Sequence, residues 1–89
     1  MGTQGLVNPG GNPKAGYLYI NEMRVNINRT TQIMDHHAVR IPAVALKPRS
    51  WVYMEIEKEP NDRYVTARKI YLLPHYILPE EKGKFFFMK

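Results

Sequence analysis

The sequence predicts a single small all-β domain, a barrel of about five strands. Three observations indicate this fold class. Apolar and polar residues alternate with a two-residue period in several segments, and clusters of Pro, Asn, Asp and Gly separate those segments as turn formers do. No amphipathic pattern extends beyond about two helical turns. A chain of 89 residues can bury one modest core and leaves no room for a second domain.

The first residues look different from the rest. Between Met1 and Gly16 lies the run Asn8-Pro9-Gly10-Gly11-Asn12-Pro13, which is rich in residues that disfavour both helices and β-ladders. We therefore expect a flexible N-terminal arm over residues 1–16 and the folded domain over residues 17–89.

The first strand of that domain is predicted from Tyr17 to Asn28. Met23, Val25 and Ile27 would point one way, and the intervening side chains, including Arg24, the other. Further along, the apolar segment Ala38–Leu46 contains Pro42, which cannot donate to a ladder. This segment is expected to be an edge strand, a bulged strand, or a strand leading into a short turn.

The clearest element is a hairpin of residues 51–57 and 63–73 around a turn at residues 58–62. With Lys58 opposite Arg63, one face is nearly all apolar: Val52, Met54, Ile56, Val65, Ala67 and Lys69. The other face carries Tyr53, Glu55, Glu57, Tyr64, Thr66 and Arg68. This outer face predicts a binding surface, on which Trp51, Tyr53 and Tyr64 stack with bases and Arg68 holds phosphates. Alternatively, these aromatic residues pack under the arm or in a dimer interface.

The charge balance favours a polyanionic partner. The chain has thirteen Lys and Arg and eight Asp and Glu, which gives a net charge of +5. A basic block could form a groove that follows a phosphate backbone, or it could be scattered surface charge. Its members are Arg24, Arg29, Arg40, Lys47 and Arg49.

The chain ends in three consecutive phenylalanines, which one face of a strand cannot bury together. Phe85, Phe86 and Phe87 are expected in a final hairpin or a tail, where at least one contacts another segment, a second subunit or a protein partner. A homodimer with an exchanged strand is one such arrangement.

Several kinds of site are not expected. The chain has no Cys, which removes disulfides, thiolate catalysis and Cys-based zinc sites. Adjacent histidines in Asp35-His36-His37 point to opposite faces of an extended segment, so no metal site is predicted, and no catalytic residues or cofactor are expected either. No apolar run suits a signal peptide or a membrane span. We expect a cytoplasmic protein, in the host cell interior if it is viral.

Two resemblances bear on function. The run Trp51-Val52-Tyr53-Met54-Glu55-Ile56 followed by Tyr64-Val65-Thr66-Ala67-Arg68-Lys69-Ile70-Tyr71-Leu72-Leu73-Pro74 resembles the closing strands of small OB-fold single-stranded DNA-binding proteins of phages. The resemblance covers about a third of the chain and implies an OB-like or incomplete barrel, often dimeric. It also implies that Tyr53, Tyr64 and Arg68 bind single strands, with Trp51 and Arg24 as further candidates.

The second resemblance is to swapped-hairpin regulators of the AbrB type. It rests on Val39-Arg40-Ile41-Pro42-Ala43-Val44-Ala45-Leu46 and implies duplex DNA binding through Arg24, Arg29 and Arg40. The sequence thus predicts a non-catalytic protein that binds single-stranded nucleic acid. The alternatives are this duplex-binding regulator and a protein-interaction or assembly module, such as a phage or viral structural component or inhibitor.

Overall fold

The protein forms a closed five-stranded β-barrel with one additional strand, in a computed structural model that describes residues 2–58 and 60–88. The strands are β1 (Gly2–Asn12), β2 (Tyr17–Ile20), β3 (Met23–Asn26), β4 (Gln32–Asp35), β5 (Trp51–Glu57) and β6 (Val65–Leu72). Short 3-10 helices cover Pro13–Ala15, Ala43–Ala45, Pro79–Lys84 and Phe86–Met88. The predicted all-β, small-barrel fold class is confirmed. Met1, Glu59 and Lys89, which fall within the predicted arm, turn and folded domain, lie outside the described residues.

The barrel closes by a parallel pairing between distant segments. Strands β1, β2 and β3 form an antiparallel meander, and the other edge of β1 pairs with β5, which pairs in turn with β6. Val25 of β3 then pairs in parallel with Val65 at the start of β6. Strand β4 continues along the same edge of β6, where Ile33 lies opposite Ile70. This order gives each of the five barrel strands two neighbours, and β4 is the extra strand.

The interior is apolar, as the alternation of the strands requires. Val25, Val52, Met54 and Ile70 have no exposed surface, and Ile56 packs against the same cluster. The inward positions predicted for Val25, Ile27, Val52 and Met54 are thereby confirmed.

The expected flexible arm is wrong, because residues Gly2–Asn12 form β1 in the middle of the sheet. Pro9 and Gly10 lie where the register between β1 and β2 shifts, and a bulge of this kind does not require a ladder N–H from proline. Gly11 permits a close approach, since a Cβ there would lie 2.9 Å from the Leu18 Cα. The turn-forming residues thus bend a strand that the apolar core holds in place.

The single strand predicted from Tyr17 to Asn28 is a hairpin. Asn21 and Glu22 have φ values of 55° and 62°, as the two central residues of a type I′ turn do. The Asn21 side chain then ties this turn to β1, because its Nδ2 donates to the Gln4 carbonyl (3.2 Å) and its Oδ1 accepts from the Leu6 N–H (2.9 Å). Met23, expected inside, lies next to the turn and is exposed.

The predicted register of the β5–β6 hairpin is also wrong. Tyr53 lies opposite Tyr71, not opposite Arg68. The pairing already differs by two residues at Glu57, which lies opposite Thr66 and not Tyr64. A bulge adds a third residue: Glu55 pairs with Lys69 and Ile56 with Ala67, so Arg68 is an extra residue on β6. Lys69 consequently lies outside the barrel and not on the apolar face.

Residues 38–46 contribute little regular structure. Arg40 forms an isolated bridge with Met34, and a 3-10 helix follows Pro42. Of the three arrangements expected here, the short turn matches best, since proline begins such a turn readily but cannot donate to a strand.

The C-terminal segment, residues 73–88, forms no hairpin. It covers the outer face of β5 and β6, where Leu73, Ile77 and Met88 make a second apolar cluster. Trp51 and Tyr53 pack against this cluster from the barrel side. Among the described residues, no helix has the length and apolar character needed to cross a membrane.

Candidate nucleic-acid interface

The outer face of β2 and β3 carries four neighbouring polar and aromatic side chains, which we call the β2–β3 face: Tyr17, Tyr19, Arg24 and Asn26. The register places Tyr17 opposite Asn26 and Tyr19 opposite Arg24. Leu18 and Val25, which alternate with them, are buried in the core. The four side chains are therefore directed outward because their neighbours are held inward.

Arg24 lies at the centre of this face, between two tyrosines. Its guanidinium carbon is 4.2 Å from the ring centroid of Tyr17 and 4.8 Å from that of Tyr64. The Arg24 Nε also donates to the Asn26 Oδ1 at 3.2 Å. These contacts fix the planar cation in one orientation, and each cation–π contact contributes about 0.5–1 kcal/mol at an exposed site.

Tyr64 reaches this face because it precedes β6, whose first residues pair with β3. The guanidinium of Arg63 lies 6.0 Å from the Tyr64 ring centroid, which adds a second cation beside the face. In the described part of the chain, ion-pair contacts join Arg68 to Glu57 and His75 to Glu81. Among the described residues, no carboxylate thus lies within ion-pair distance of Arg24.

A group of cations continues from the Tyr17 end of the face. Lys14 and Arg29 line one shallow cavity together with Pro13, and Lys47 lines the neighbouring cavity, to which Pro13 also contributes. Pro13 begins the 3-10 helix that connects β1 to β2, directly before Tyr17. These three cations therefore lie around the connection that leads onto the β2–β3 face.

Trp51 and Tyr53 are not open platforms. The Trp51 ring meets Tyr76 edge-on with centroids 4.9 Å apart, and the Tyr53 ring lies 5.7 Å from that of Phe87. Tyr71, opposite Tyr53, stacks flat against Phe87 at 3.9 Å and is buried. Burial raises the pKa of the Tyr71 phenol, and the Glu55 carboxylate adds to this effect. The C-terminal segment thus covers most of the aromatic surface that the sequence assigned to binding.

The remaining predicted cations lie apart from the face. Arg68 is on the β6 bulge and contacts Glu57 at 3.1 Å, Arg40 is in the loop after β4, and Arg49 is in the turn before β5. Of the nine predicted binding residues, the structure brings Arg24 and Tyr64 into contact and places Arg29 and Lys47 around Pro13.

The segment Asp35-His36-His37 forms a turn. Asp35 accepts hydrogen bonds from the N–H groups of His37 (2.8 Å) and Val39 (3.0 Å). The Val39 hydrogen bond has the largest effect and lowers the Asp35 pKa; desolvation opposes it, and the His37 hydrogen bond and the nearby imidazoles lower the pKa further. Within residues 2–58 and 60–88, no group of three or more His, Asp or Glu side chains could hold a metal ion.

Sequence reasoning missed Tyr17 and Tyr19. Their signal was present, because Asn21-Glu22 separates two four-residue segments in which alternate residues are apolar. Treating residues 17–28 as one strand concealed the antiparallel partner that brings Arg24 beside these two rings.

Comparison of the chain with protein-family models, with curated proteins and with solved structures gives no match.

Proposed function

We propose that this protein binds single-stranded nucleic acid on the β2–β3 face, without catalysis. The observation that carries the proposal is the arrangement of Tyr17, Arg24 and Tyr64, which combines flat aromatic surfaces with a fixed guanidinium. Aromatic rings stack with unpaired bases of any sequence, and cations beside them hold the phosphates.

The position of this face within the barrel supports the proposal. In OB-type barrels, oligonucleotides are bound on the face of the second and third strands and by the loops that flank it. Here the first loop carries Lys14, and the β5–β6 loop ends in Arg63 and Tyr64. The proposed face thus differs from the one that the resemblance to phage single-stranded DNA-binding proteins implied.

The test is a titration of a labelled single-stranded oligonucleotide, followed by fluorescence anisotropy at low and moderate salt. Replacement of Tyr17 by Ala removes one stacking platform and should weaken binding by about 1–3 kcal/mol, or roughly 5- to 150-fold. Tyr17→Phe keeps the ring and should bind nearly as wild type does. The same strand annealed into a duplex should bind less tightly.

Arg24→Ala has a charge-matched control in Arg40→Ala, since both remove one cation and Arg40 lies elsewhere. Arg24→Ala should lower the affinity strongly and Arg40→Ala only slightly. Equal losses from the two variants would show that net charge, and not the β2–β3 face, determines binding. Absence of binding by wild type at micromolar concentration would remove the proposal altogether.

The rival function, a protein-interaction or assembly module, has one observation in its favour. Phe86 is 63% exposed although Phe87 beside it stacks on Tyr71. A large exposed aromatic ring suits a protein contact, including the proposed homodimer. Sedimentation of wild type and Phe86→Ser tests the homodimer, because only self-association through Phe86 would make the two differ in mass.

A further inference from the structure

We propose that a second nucleotide subsite lies in a groove beyond the tip of the β2–β3 hairpin and binds the same strand as the β2–β3 face. This inference rests on the proposed function and extends the site along the chain of the nucleic acid. The groove lies between the start of β1, β5 and the C-terminal segment, with a volume of about 540 Å³. That volume is in the range of pockets that hold small ligands.

The lining of the groove has the chemistry of a nucleotide site. Tyr76 contributes a phenol ring, Lys82 a cation and Thr3 a hydroxyl, and the lining is completed by Tyr53 and Gln4, which the C-terminal segment holds in place. Tyr76 and Lys82 are exposed, so a ligand can reach both. A planar ring beside an ammonium group fits a base and its phosphate better than it fits an apolar ligand.

The groove lies next to the tip of the β2–β3 hairpin. Asn21, at the hairpin tip, donates a hydrogen bond to the main-chain carbonyl of Gln4, which lines the groove. Tyr19 lies two residues before Asn21, about 7 Å along an extended strand. A single-stranded nucleic acid that extends from the Tyr17 and Tyr19 rings toward Asn21 therefore reaches the groove next.

The C-terminal segment holds the outer wall of the groove in place. The Gln4 Nε2 donates to the Ile77 carbonyl and the Gln4 Oε1 accepts from the Ile77 N–H, both at 2.8 Å. Ile77 follows Tyr76, whose ring rests against Trp51. Because Trp51 is the only tryptophan in the chain, its fluorescence reports on this wall and not on the β2–β3 face.

The experiment compares oligonucleotides of about four and about twelve nucleotides, the range that one barrel of this type can cover. The variants are Tyr76→Ala and Lys82→Ala, and Lys84→Ala is the control because Lys84 is an exposed lysine of the same 3-10 helix outside the groove lining. The first two variants should weaken binding of the long strand by about fivefold or more and leave the short strand unchanged. Lys84→Ala should weaken binding of either oligonucleotide less than the other two variants weaken binding of the long one.

Trp51 emission gives an independent readout. It should change when wild type binds the long strand and stay constant with the short one. If Tyr76→Ala and Lys82→Ala bind the long strand as wild type does, while Tyr17→Ala weakens both lengths, the groove proposal is wrong and the β2–β3 face stands. If wild type binds neither strand, both proposals fail.

Discussion

Gln4 holds Ile77 through both ends of its side-chain amide, with two hydrogen bonds of 2.8 Å. The side chain thereby does what a neighbouring β-strand would do, since it donates to the carbonyl and accepts from the N–H of one residue. Ile77 is fully buried, so neither of its main-chain groups can turn to water instead. This contact anchors the C-terminal segment to β1.

Replacement of Gln4 by Ala should destabilise the protein, because it leaves both polar groups of Ile77 without a partner. The expected loss is about 1–3 kcal/mol in the free energy of unfolding, measured by urea denaturation with Trp51 fluorescence. Gln4→Glu keeps the accepting oxygens but loses the donor. Its free energy of unfolding should fall between those of wild type and Gln4→Ala. An unchanged midpoint for Gln4→Ala would mean that the segment is held by its apolar contacts alone.

Gly5 is required by the close approach of the β2–β3 hairpin to β1. A Cβ on Gly5 would lie 2.4 Å from the Ile20 Cγ2, which is itself fully buried. Gly5→Ala should therefore cost about 1–3 kcal/mol of stability through overpacking. Gly83→Ala is the matched control, since nothing lies within 4 Å of its added methyl group. Thermal unfolding of both variants checks this, and equal melting temperatures would contradict it.

Asp35 should make stability depend on pH in the acid range. Its pKa is lowered in the folded protein, chiefly by the Val39 N–H, so the carboxylate stabilises the fold above its ordinary pKa. That contribution is lost as the pH falls through the ordinary pKa toward the lowered one. Asp35→Asn cannot titrate, and the difference in unfolding midpoint between it and wild type should shrink between about pH 5 and pH 2. A constant difference would contradict the assignment.

Arg24→Lys tests whether the stacked guanidinium is needed or only its charge. Lysine keeps the cation but lacks the planar guanidinium that contacts both the Tyr17 and Tyr64 rings. We expect binding of a single-stranded oligonucleotide to weaken by about 5- to 10-fold, with an unchanged dependence on salt concentration. Wild-type affinity in Arg24→Lys would reduce the role of this residue to that of a point charge.

The strands were predictable where alternation continues without interruption. Val52 and Met54 are buried as their two-residue period indicates, and Val25 and Ile27 follow the same rule. The two-residue period gave wrong strand pairings at irregularities that leave no signal in the local sequence. The extra residue at Arg68 shifts the partners of Tyr53, and the shift at Pro9 and Gly10 lets a turn-rich segment stay within the sheet.

The candidate site was harder to predict than the fold. Tyr53 and Trp51 have the composition of a binding face, but what covers them is a segment more than twenty residues away without any strand or helix period. The phenylalanine run indicated that at least one ring contacts another segment, as Phe87 does, but nothing local identified Tyr53 and Tyr71 as its partners. Tyr64 and Arg24 were both identified, but their contact depends on the parallel pairing of Val25 with Val65.

That parallel pairing also determines when the protein can fold during its synthesis. The meander of β1, β2 and β3 leaves the ribosome first, but its inner surface has no cover until β5 and β6 follow. Contacts between such distant parts of a chain form slowly, and uncovered apolar strands are prone to aggregate while they wait. A nascent chain that ends before Val65 contains four of the five barrel strands and lacks the one that closes the barrel, so its apolar inner surface stays exposed to association with other chains until β6 is made.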